Sequence, residues 1–127
     1  MSVSQQSGFP LTNLAYHAYE GVALRDEEKV RFDADLGSAD ILILRNHGRL
    51  TCRRRVAEAF QAMHLPEADC RIQIHAQAGG CTLLRMPQTI LDDMGNQARE
   101  ISKGLGANPA WPGRLRRLDR RSPGYHA

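Results

Sequence analysis

Lysine is nearly missing from this chain: 15 of its 17 basic residues are arginine, and Lys29 and Lys103 are the exceptions. Cysteine is scarce. Cys52, Cys70 and Cys81 are an odd number with no CxxC spacing, which argues against a disulfide framework and for reduced thiols. No apolar stretch approaches the ~20 residues of a membrane helix. The longest, Ile41-Leu42-Ile43-Leu44, is only strand-sized. The opening Met1-Ser2-Val3-Ser4-Gln5-Gln6 lacks the basic start and apolar core of a secretory signal. Aromatic residues make up 6% and do not interleave with the arginine clusters, so there is no platform for stacking nucleic-acid bases. Together these absences predict a soluble cytoplasmic protein with neither a membrane nor a nucleic-acid partner.

The 127 residues, 42% hydrophobic and 24% charged with a net charge of +3, suffice for one modest domain with one core. Arg53-Arg54-Arg55 and the group Arg114, Arg116, Arg117, Arg120 and Arg121 read as solvated helix ends. Residues 1–13 are polar and contain Gly8 and Pro10, which predicts a loose or extended entry. Part of 14–24 reads as a strand. Asp26-Glu27-Glu28 sets acids in a first helical turn and Gly37 suits the residue after a helix end, giving a short helix over 26–36. Four large apolar residues at 41–44 suit a strand buried on both faces. Asn46-His47-Gly48 is a turn, and 49–52 is the next strand. Over 54–78 the positions Val56, Phe60, Met63, Glu67, Cys70 and Ile74 step by four and three, which predicts a helix packing on that stripe, kinked at Pro66. A further helix follows Pro87, with Ile90, Leu91, Met94, Ala98 and Ile101 on its face; a break at 104–106 precedes a last helix over 109–121.

The run Ile43-Leu44-Arg45-Asn46-His47-Gly48-Arg49-Leu50-Thr51 followed by Val56-Ala57-Glu58-Ala59-Phe60, together with Tyr16-His17-Ala18-Tyr19-Glu20-Gly21, resembles the class II aldolase/adducin family. Asp35-Leu36-Gly37, Glu67 with Cys70-Arg71-Ile72-Gln73, and Trp111 with Leu118 to Tyr125 continue the likeness in order, over residues 9–125, with 1–8 as a loose lead-in. The resemblance implies an α/β fold, the C-terminal half of a three-layer α/β/α class II aldolase-like domain. It also implies a zinc-dependent aldehyde-lyase lineage acting on a small hydroxy-carbonyl compound. Complete members hold zinc through a His-x-His pair and the histidine of the Asn-His-Gly turn, and a glutamate moves the proton. Here His47 takes that third position, while no two of the histidines at 17, 47, 64, 75 and 126 are two apart.

One imidazole offers zinc one bond and supplies no base. The expectation is therefore a chain that is not catalytic alone. It is either completed by a complementary N-terminal half, or assembled as a homo-oligomer, or kept as an adducin-like interaction module. His47 is the candidate metal ligand, against the plain reading of a turn histidine. Asn46 either orients His47 or simply forms the turn. Glu67 either accepts a hydrogen bond from a ligand imidazole, pairs with a buried arginine, or is swung into solvent at Pro66. Cys70, His75 and Cys81 match no zinc spacing, the cysteines read as ordinary core residues, and His17 and His64 read as core or surface filler. Pro66, Asp69 and Asp33 stand where the family favours apolar or small residues, which predicts a loss of stability.

Overall fold

The computed structural model describes residues 2–21, 26–102 and 109–126. The elements run α1 (Gln5–Leu11), β1 (Leu14–His17), α2 (Asp26–Leu36), β2 (Ile41–Leu44), β3 (Gly48–Thr51), α3 (Val56–Ala78), α4 (Gln88–Ser102) and α5 (Trp111–Arg121). The three strands form one sheet in the order β1-β2-β3, with β1 parallel and β3 antiparallel to β2. The expected α/β class is the one observed. Calls on 22–25 and on the break at 104–106, and the Ile101 side chain, lie outside the described residues.

The pleat assigns the layers. Alternate side chains leave a strand on opposite faces, so Ala15 and His17 share a face with their partners Leu42 and Leu44. On that face His17 meets Phe32 and Asp35 of α2. The other face carries Ile41 and Ile43 with their β3 partners Thr51 and Arg49. There Arg49 bonds to Glu67 of α3, and the Thr51 hydroxyl donates to the Ala59 carbonyl at 3.3 Å. The sheet is thus sandwiched between α2 and α3. Consecutive residues Ile41 and Leu42 are 5% and 0% exposed, as a strand covered on both sides requires. At its start the Asp40 amide donates to Asn13 Oδ1 at 2.9 Å, and Arg53 reaches the Asp40 carboxylate at 2.6 Å. This clamp sets the register of β1 against β2.

Several expectations fail here. Residues 5–11 are not loose: Ser4 caps α1 by accepting from the Ser7 amide, and Ser7 returns a bond to the Ser4 backbone. This is a capping box with serine in place of the usual glutamate at its third position. Gly8 lets α1 close on α4, since a Cβ there would stand 1.8 Å from the buried Met94 sulfur. Asp69 lies buried at the start of α1, where it accepts from Gln73 at 2.7 Å and from Ser4 at 3.5 Å.

The second failure is the packing face of α3. The helix runs unbroken through Pro66, but it buries Ala62, Pro66 and Asp69. The apolar stripe lies about a third of a turn away at 100° per residue, and Val56 and Ile74 are 76% and 63% exposed. Phe60 is partly covered by the Trp111 ring of α5 at 5.7 Å. Small residues at 62 and 66 allow α1 and the sheet to approach, and that proximity outweighs the larger stripe. Cys70 and Cys81 are likewise exposed rather than core residues.

Leu42→Ala should therefore lower unfolding free energy by about 2–5 kcal/mol, whereas Val56→Ala should change it by less than about 0.5 kcal/mol. Urea denaturation of both variants checks this. Equal losses would return the Val56 stripe to the core.

Candidate functional site

Parallel strands β1 and β2 end side by side, at His17 and Leu44. Beyond the carboxyl ends of such strands the connections diverge and leave a crevice. Here it is a cleft of about 200 Å³ lined by His17, Tyr19, Glu28, Phe32, Leu44, Arg45, His47 and Leu50, among others. The strand ends are stitched by the Arg45 amide donating to the His17 carbonyl at 3.1 Å.

His47 reaches the cleft from a tight turn. Its amide donates to the Leu44 carbonyl at 3.1 Å. Asn46 at the third turn position has φ +56°, the sign pattern of a type II turn, which asparagine tolerates better than other non-glycine residues. Gly48, the glycine of this turn, has no positive φ; Asn46 takes the left-handed position instead. His47 is exposed on the cleft rim, and Arg45 beside it lies over the Tyr16 ring at 5.1 Å.

Glu67 is the partner of arginines. It bonds to Arg49 of β3 and reaches Arg71 one turn along at 3.5 Å. The Arg49 guanidinium, with help from Arg71, holds its carboxyl below the ordinary carboxylate range. The pair joins β3, just beyond the His47 turn, to α3.

His17 was expected to be filler, and the structure places it at the centre of the cleft floor. It is 3% exposed, its Nδ1 lies 2.7 Å from the Asp35 carboxylate, and Phe32 packs on its ring at 4.3 Å. Its Nε2 is buried without a hydrogen-bond partner, 3.8 Å from the buried Glu28 carboxylate. A signal for this cluster was available: Glu28, Phe32 and Asp35 step by four and three along α2, so one helix face presents two carboxylates to the sheet. Among the described residues, no three His, Cys, Asp or Glu side chains gather as a metal ligand set, and no helix is long and apolar enough to cross a membrane.

The chain is similar to known proteins. The Class II Aldolase and Adducin N-terminal domain family matches residues 3–74. A protein of Pseudomonas aeruginosa provisionally named as a class 2 aldolase is 47% identical over 98% of this chain and 49% of its own length. Mouse alpha-adducin is 36% identical over 80% of this chain and 14% of its own. A crystal structure of an aldolase II superfamily protein from Pseudomonas syringae superposes with a TM-score of 0.89 at 38% identity, covering all of this chain and 51% of the other. The chain therefore belongs to the class II aldolase/adducin family. It spans about half the length of the bacterial relatives it matches.

Two substitutions test the site's local construction. Asn46→Gly should hold or slightly raise stability, while Asn46→Val, forced into the left-handed region, should lower it by about 1–2 kcal/mol; thermal melts compare them. Glu67 titrates lower in the folded chain than the 4.5 of a free carboxyl. Its contribution is therefore fully present above that value and fades as pH falls through the lower folded value. The gap in melting temperature between wild type and Glu67→Gln should be open at pH 7 and close in acid. A gap that stays constant with pH would show that the charge pair is idle.

Proposed function

We propose that this chain carries the metal-ligating turn of a class II aldolase-type site, of zinc-dependent aldehyde-lyase lineage, acting on a small hydroxy-carbonyl compound once another polypeptide completes it. One observation supports the reading above the rest. His47 is held by a strand-end turn at the rim of a cleft, beyond the carboxyl ends of two parallel strands, in a chain of this family. Zinc working as a Lewis acid needs three protein donors and an open position. His47 is one donor, and the described residues do not fit zinc without others. On this reading the chain is catalytic only once it is completed. The complement is a polypeptide bearing the His-x-His pair and the carboxylate base, or further copies of this chain. Asn46 shapes the turn that aims His47, and Glu67 steadies the strand beneath it through Arg49.

A second reading, a non-catalytic interaction module, draws on the likeness to alpha-adducin and on the uncovered apolar residues Val56 and Ile74 of α3. Co-expression with the half of the Pseudomonas aeruginosa relative that this chain does not span separates the two. The enzyme reading expects a complex holding one zinc per chain, stripped by chelator and lost in His47→Ala. A complex indifferent to chelator and to His47→Ala would leave the module reading standing.

A further inference from the structure

The two arginine clusters lie far apart in the sequence and share one aromatic group in the fold. Residues 53–55 lead directly into α3, and Phe60 lies on the second turn of that helix. Helix α5 packs there. The Trp111 ring meets Phe60 edge-on at 5.7 Å, and the Arg114 guanidinium lies over the Phe60 ring at 5.6 Å. His64, one turn further along α3, stacks beside Phe60 at 5.9 Å. Phe60 still stays 42% exposed. Along the chain the arginine clusters and the aromatic residues do not interleave; the packing of α5 on α3 sets rings beside both.

These arginines are also uncommitted. Arg54, Arg55, Arg116, Arg117, Arg120 and Arg121 are exposed, and none of them forms an ion pair among the described residues; Arg53 alone of the two clusters does, with Asp40. At 100° per residue, Arg116 with Arg120 and Arg117 with Arg121 form two adjacent stripes along α5. Like charges at that spacing repel and weaken a helix. The helix dipole favours Arg120 and Arg121 in the last turn and does nothing for Arg116 and Arg117.

We infer that this α3–α5 face binds a single-stranded nucleic acid, its phosphates on the α5 arginines and a base against the open part of Phe60. Guanidinium forks match phosphate oxygens in pairs. Rings beside them offer bases a contact that an acidic peptide cannot use. A membrane surface fits less well, because a helix lying on lipid needs its apolar side free, and Trp111 is turned onto Phe60. Phosphate and base contacts are common to ribose and deoxyribose strands. This inference holds or fails apart from the His47 reading.

The test is titration of the full chain with fluorescein-labelled oligo(U) and oligo(dT), and with inorganic polyphosphate, polyglutamate and phosphatidylserine vesicles. Anisotropy of the labelled strands reports binding, and fluorescence of Trp111, the one tryptophan of the chain, reports stacking. Both oligomers should bind and quench Trp111. Log affinity should fall with log salt at a slope of about −3, the value for four arginine–phosphate contacts on a single strand. Combining Arg116→Gln with Arg120→Gln should cut that slope to roughly half. Phe60→Leu should weaken binding about tenfold and leave the slope unchanged. Arg31→Gln, which breaks a pair with Glu20 on the opposite side of the sheet, should change neither. The inference is overturned by a flat salt dependence, by absence of quenching, or by double-variant binding equal to wild type. It is overturned equally by polyphosphate, polyglutamate or vesicles binding as tightly as the oligomers. The wild-type comparison of oligomers with polyphosphate decides the matter even where Phe60→Leu fails to fold.

Discussion

Everything in this chain hangs on β2 being paired on both edges and covered on both faces. Ile41 and Leu42 are buried on opposite sides of the sheet, and with Ala62 and Met94 they make up the buried apolar set of the described residues. Parallel pairing on one side brings His17 to the end of Leu44, and antiparallel pairing on the other returns the chain through the His47 turn. The cleft is a by-product of that double pairing. Were β2 to slip by one residue, its side chains would exchange faces, and neither the α2 contacts of His17 nor the α3 contacts of Arg49 would survive.

Polar clamps do much of the positioning that a larger apolar core does elsewhere. Asn13 and Arg53 converge on Asp40 at one end of the sheet, Asp35 and Glu28 bracket His17 at the other, and Arg49 with Glu67 ties β3 to α3. The partly exposed pairs contribute little each, because water competes for them. Their value is in geometry: each joins residues from two elements whose relative placement the cleft requires.

Much of this was legible in the sequence. The four apolar residues at 41–44, the Asn-His-Gly turn, the acidic start of α2 and the glycine at its end each carry a local signal, and the structure follows them. Gly37 has φ +52°, as its place after a helix requires. What escaped was decided by tertiary contact. Helix α1 has seven residues with Gly8 and Pro10 among them, so its identity rests on the Ser4–Ser7 cap and on packing against α3 and α4. The α3 stripe was well phased, yet close approach of neighbours selected the small-residue face instead. The His17 cluster shows no ligand spacing around the histidine itself, since its partners come from a helix that follows it in the chain.

The two pairings of β2 also differ in the distance along the chain that each must close. The Leu44–Gly48 end of the hairpin joins residues four apart, while the Asn13–Asp40 clamp spans 27. Closing the longer loop costs more chain entropy before any contact repays it. The hairpin is therefore the early element, and β1 docks onto an edge already formed. Since His17 ends β1, the floor of the cleft depends on the pairing that closes the longer loop. An open population of this chain would keep its His47 turn while losing the His17 cluster.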